Sequence, residues 1–200
     1  GTNRYKLEGY GYSPGQIIDS AIKAARAACK EDTLVALDVD PLGELLEPMG
    51  TLTFEEAYDA FCEVVKQGEA SGADLIVIET MTDLYEVKAA VLAAKEQTNL
   101  PVMVSMTFEE TGRTFTGPSI ECMTAVLEGL GVDAVGINCS LGPVEIFPLA
   151  EKMCQLTDLP VFVKPNAGLP DPRTGAYTIG PEEFARAMAE YRHLGIAMAG

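Results

Sequence analysis

The most chemically distinctive side chain in this sequence is the thiol of Cys139, in the run GINCSLGP (136–143). It stands one residue past a continuous apolar stretch, AVGIN (134–138), on a segment bounded by Gly and Pro. A thiol in that position can act as a nucleophile or as a metal ligand. Nucleophilic use wants a nearby base, and the single histidine, His193, falls in the last helical segment, so a Cys–His pair is disfavoured. Three other runs end apolar stretches with polar groups in the same way. VIETMTD (77–83) closes with Glu79, a carboxylate either paired within the protein or aimed at a cationic ligand group, because an unpartnered buried carboxylate is costly. VKPNAGLP (163–170) presents Lys164, suited to a Schiff base or to an ion pair with a neighbouring acid. The same run presents Asn166, a neutral oxygen donor suited to hydrogen bonding or weak metal ligation. In DVDPLG (38–43), Asp38 and Asp40 are two apart and face one side of a regular strand. Paired carboxylates there suit metal or acid–base work, but Asp40-Pro41 reads better as a turn.

These residues need a frame that gathers strand ends. Six short runs read as strands: 34–39, 75–79, 101–106, 134–138, 160–164 and 196–200. Most are continuous and rich in Val and Ile, the pattern of strands buried on both faces of a parallel sheet. Six helical patterns alternate with them, at 14–30, 53–71, 83–97, 119–130, about 144–155 and 181–194. Ser13-Pro14 reads as a cap and first-turn proline; Thr53 with Glu56, and Asp83 with Glu86, have capping-box spacing. Strict alternation means an α/β fold with right-handed crossovers. Strand starts lie 26 to 41 residues apart, around the roughly 31 residues of one unit of a (β/α)8 TIM barrel.

Nearly every strand ends in polar residues: Asp38 and Asp40, Glu79 and Thr80, Ser105 and Thr107, Asn138 and Cys139, Lys164 and Asn166. A barrel collects all such ends on one rim, whereas an open sheet uses only its switch point. No G-x-G-x-x-G follows a strand, which weakens a dinucleotide reading. The expectation is one partial TIM barrel over residues 1–200, with six of eight strands, lacking N-terminal strands and the C-terminal helix.

Composition narrows the function classes. Of 200 residues, 48% are apolar, enough for a real core, and the net charge is -16. So acidic a chain is a poor partner for nucleic acid or an anionic membrane surface, and no run approaches a membrane span. Five cysteines without a C-x-x-C pair argue against a secreted disulfide scaffold and for a cytoplasmic protein. Cys29, Cys62, Cys122 and Cys154 fall in predicted helices, where buried free thiols are expected.

Taken together, LEPMG (46–50), ADLIVIETMTDLYEVKAAVLAAKE (73–96), PVMVSMTFEETGRTFTG (101–117), GVDAVGINCSLGP (131–143) and PVFVKPNAGLP (160–170) resemble the homocysteine S-methyltransferase family. The resemblance is strongest to the homocysteine-binding barrel of the cobalamin-dependent methionine synthases. It implies a TIM barrel in which zinc, held by three cysteine thiolates, activates the homocysteine thiol for methyl transfer to give methionine. Cys139 matches one of those thiolates and is the expected catalytic and metal residue. The other two form an adjacent pair that this chain, ending at Gly200, does not reach, so residues 1–200 alone are expected to be inactive. Asn166 matches a residue implicated in filling the zinc's open position, and Glu79 matches a residue that binds the homocysteine amino group. Ser105 and Asn138 are expected on the substrate side of the same rim. The implied methyl donor is methylcobalamin on a separate domain, a sulfonium compound or a betaine. One departure stands out: the family often has a Gly-Pro-Thr-Gly-like loop where this chain has Asp40-Pro41-Leu42-Gly43. Two other readings remain, a Schiff-base aldolase using Lys164 and a non-catalytic barrel that only binds.

Overall fold

The computed structural model describes residues 2–171, 173–177 and 179–200. The chain falls into two compact units, Gly1–Met103 and Val104–Gly200. In the first, α1 (Pro14–Ala28) precedes β1 (Ala36–Val39), α2 (Phe54–Ala70), β2 (Leu75–Met81) and α3 (Leu84–Gln97). β3 (Val102–Met106) runs across the boundary. The second unit continues with α4 (Ile120–Gly129), β4 (Ala134–Asn138), α5 (Pro143–Leu156), β5 (Val161–Lys164), α6 (Pro181–Glu190), a 3-10 turn over Tyr191–Leu194, and β6 (Met198–Ala199). The six parallel strands follow one another in sequence order, β1 to β6, as expected.

The helices start where the sequence gives caps. The Ser13 and Thr53 hydroxyls accept the amide hydrogens of Gln16 and Glu56, and those side chains return the bond to the cap amide. The third expected box does not form. Asp83 alone caps α3, accepting from Tyr85 N–H at 2.9 Å, because the Glu86 side chain is drawn into the protein instead.

Burial also differs from expectation at two places. β4 is buried along its whole length, but β1 alternates, with Leu37 and Val39 in the core and Ala36 and Asp38 exposed; both residues of β6 are exposed. Of the four helix-region cysteines only Cys62 is buried. Cys29 and Cys154 are half-buried, and Cys122 is exposed because the inward stripe of α4 is Ile120, Met123, Thr124 and Leu127. Among the described residues no helix is long and apolar enough to cross a membrane.

The strand that delivers Cys139 depends on one missing side chain. Gly136 lies opposite Phe162 in the β4–β5 ladder. A Cβ on Gly136 would stand 2.4 Å from the Phe162 carbonyl oxygen and 2.8 Å from its ring. The oxygen belongs to a ladder strand and cannot move aside. Gly136→Ala should therefore cost about 3 kcal/mol, the upper range for overpacking. A lowered urea midpoint at unchanged slope is the expected reading; an unshifted midpoint would contradict it.

Candidate functional site

In the second unit, β4 ends in the polar pair Asn138-Cys139. Asn138 is 1% exposed and Ser105, on β3, is 0% exposed. The Ser105 hydroxyl donates to Asn138 Oδ1 at 2.8 Å. That fixes the carboxamide so that Nδ2 donates to Cys139 Sγ at 3.2 Å. The Thr107 hydroxyl donates to the Asn138 carbonyl at 3.1 Å. Two residues expected on the substrate side thus stand behind the thiol, holding it in place.

The backbone completes the mounting. Cys139 and Ser140 have φ of 59° and 54°, the left-handed region that non-glycine residues seldom occupy. The Cys139 amide donates to the Lys164 carbonyl at 3.0 Å, and the Asn166 amide donates to the Leu141 carbonyl at 3.0 Å. The loop carrying Lys164 and Asn166 is thereby tied to the loop carrying Cys139. A Cβ on Gly142 would lie 3.4 Å from Gly168 Cα, so these two loops touch through glycines. Both Lys164 and Asn166 are half-buried. The turn is latched from behind by Tyr191, whose buried hydroxyl donates to the Pro143 carbonyl at the start of α5. His193 is exposed on the 3-10 turn.

In the first unit, Glu79 and Thr80 close β2, both half-buried, and Thr80 has φ of 60°. β1 pairs with β2 in parallel, Val39 opposite Ile78. After Val39 the chain leaves the strand at Asp40 and bends through Gly43, φ 94°, which agrees with a turn at Asp40-Pro41. This divergent loop is seated from below. Glu86, 4% exposed, accepts the Leu42 amide hydrogen at 2.7 Å, and Leu42 itself is fully buried. Burial, with the nearby Asp83 carboxylate, pushes the Glu86 carboxyl up to about 7, against the pull of the Leu42 bond and Lys6. Lys6 Nζ lies 3.8 Å from Asp40. The Lys6 and Tyr5 amides in turn donate to Asn3 Oδ1, buried at the start of the chain. Sequence reasoning assigned Glu86 to the helix cap. The signal against that was its place on one helical stripe with Ala89, Ala90 and Ala93, all buried.

Zinc bound by protein takes three or four N, S or O ligands. Among the described residues no group of three or more His, Cys, Asp or Glu side chains converges. Cys139 therefore fits zinc as one thiolate donor, and these residues do not form a complete ligand set.

Parallel strands whose polar residues gather at their C-terminal ends define an α/β domain of the TIM-barrel class. Its fold is similar to that of the homocysteine methyltransferase MmuM from Escherichia coli in its metallated form, with a TM-score of 0.81 and 21% identity. That likeness covers all of this chain and 70% of the other. A carboxyl transferase domain of Rhizobium etli pyruvate carboxylase shares it less closely, at TM-score 0.61 and 12% identity, over 97% of this chain and 30% of that one. Residues 1–200 match the family model for homocysteine S-methyltransferase, and the chain belongs to that family. It is 34% identical over 166 residues to methionine synthase of Mycobacterium leprae and 33% identical to that of Mycobacterium tuberculosis. Each alignment covers 79% of this chain, and the chain spans about 14% of the length of these curated relatives.

Proposed function

We propose that residues 1–200 are part of one homocysteine-binding barrel of a cytoplasmic, zinc-dependent homocysteine S-methyltransferase. The observation that carries the reading is the mounting of Cys139: a thiol in a left-handed turn, its sulfur accepting a hydrogen bond from a buried carboxamide that is itself held by Ser105. That arrangement fixes sulfur as a donor atom, and it lies in a chain that belongs to the methyltransferase family. Cys139 contributes one zinc thiolate, and the remaining donors come from outside these residues. Bound zinc would keep the homocysteine sulfur deprotonated at neutral pH, where a free thiol of pKa near 8.5 is mostly protonated. Asn166, tied to the Cys139 loop through Leu141, serves as an exchangeable oxygen donor. Glu79 takes the substrate ammonium and so orients the amino acid. Ser105 and Asn138 serve the substrate indirectly, by holding the sulfur of Cys139. The donor, on the resemblance to the cobalamin-dependent enzymes, is methylcobalamin on another domain.

The test is metal content and methyl transfer in the parent protein. About one zinc per chain by mass spectrometry is expected, with methionine formed from homocysteine and a methyl donor. Chelation should abolish both, and zinc should restore both. A parent that holds no zinc and still forms methionine would overturn the zinc mechanism.

A further inference from the structure

Among the described residues, ten glycines have positive φ, and only three other residues do: Thr80, Cys139 and Ser140. The chain thus supplies glycine at its ordinary left-handed positions and departs from that at two strand ends. At Cys139 the reason is plain under the proposed function, since glycine would have no thiol. Thr80 is the harder case, because a β-branched side chain is the least suited to this region. The cost is of the order that persists only where surrounding structure or function holds it.

The strained residue also changes what β2 exposes. Along Leu75–Ile78 burial alternates, as on any strand. At Glu79 and Thr80 two consecutive residues are half-buried, and Met81 is fully buried. The left-handed turn therefore shifts the alternation by one residue. Met81 returns to the core, and the Thr80 side chain stays accessible beside that of Glu79. Glycine would make the same turn without strain, so the turn alone does not explain threonine.

We propose that Thr80 is a specificity-determining residue, retained in a strained conformation because its hydroxyl binds the charged α-amino acid head group next to Glu79. This rests on the proposed function. Glu79 takes the ammonium, and the Thr80 hydroxyl donates to the carboxylate. The pair selects zwitterionic thiols over simple thiols that lack the head group.

The experiment compares wild-type parent protein with Thr80→Gly and Thr80→Ser, reading urea midpoints, zinc content, kcat and KM for homocysteine, and activity on a thiol without the amino acid head. Thr80→Gly should unfold at a midpoint no lower than wild type, because relief of strain offsets the added chain freedom of glycine. Its KM for homocysteine should rise about tenfold, the effect of losing one hydrogen bond to a charged group, with a much smaller change in kcat. Zinc content should stay at the wild-type value, and Thr80→Ser should restore KM. Activity on the thiol without a head group should be equal in all three proteins. An unchanged KM in Thr80→Gly, or a Thr80→Ser that fails to restore it, overturns the assignment. So does a clear fall in the Thr80→Gly midpoint, which would make the side chain structural. A wild-type parent that neither binds nor methylates homocysteine overturns the functional reading itself. One that does both while Thr80→Gly keeps the wild-type KM overturns only the role of Thr80.

Discussion

Replacing Cys139 with serine in the parent protein should remove most of its zinc and lower methionine formation by on the order of 10³-fold, corresponding to several kcal/mol of lost metal assistance. Serine is a fair test because it disturbs little else. Its hydroxyl can still accept from Asn138 Nδ2, which now lies 3.2 Å from sulfur. It is no worse than cysteine in the left-handed turn, and Ser140 already occupies that region beside it. The Cys139 amide bond to the Lys164 carbonyl is a backbone bond and survives. What is lost is a group that ionises readily, since an alcohol does not form a thiolate-like ligand at neutral pH. Far-UV circular dichroism and the urea midpoint should therefore match wild type while metal and activity fall. A variant with full zinc and full activity would show that this thiol is not a ligand.

The same comparison explains what was legible in the sequence. Strand and helix order could be read because each element carries its own signal: Val- and Ile-rich runs for β2 to β5, and Ser13 and Thr53 caps with matching third residues for α1 and α2. The polar strand ends were legible for the same reason, as sharp changes of composition at 79, 105, 138 and 164. Contacts between distant segments were not. Nothing local to Glu86 says that Leu42, 44 residues earlier, will present an amide to it. Nothing local to Ser105 says that its hydroxyl meets the carboxamide 33 residues on. Backbone sign was equally hidden, because Thr80 is a residue type that ordinarily avoids positive φ. Exposure of Cys122 depended on which stripe of α4 faces inward, a choice made by packing.

The buried carboxyl under the divergent loop gives the second large effect, and its sign follows from burial. Glu86 rises from an ordinary 4.5 to about 7 in the folded protein, first because it is desolvated and then because Asp83 is near. Below about pH 4.5 the group is protonated in folded and unfolded chains alike and contributes nothing. Between about 4.5 and 7 the folded protein holds a proton that the unfolded chain has released, so stability falls as pH rises. Above about 7 the group is ionised in both states, and the folded state bears the full penalty, about 3 kcal/mol from the difference between the two values. Glu86→Gln removes the charge and keeps an oxygen to accept the Leu42 amide hydrogen. It should leave the urea midpoint unchanged near pH 4.5 and raise stability by about 2–3 kcal/mol at pH 8. Glu86→Ala separates charge from hydrogen bonding: it leaves the Leu42 amide buried without this acceptor, a loss of about 1–3 kcal/mol at every pH. Unfolding curves of the three proteins at pH 4.5, 6 and 8 decide the matter. Parallel pH profiles for wild type and Glu86→Gln would mean that Glu86 is ionised at little cost. The Asp40–Gly43 loop would then owe its seat to the buried Leu42 side chain more than to the carboxylate beneath it.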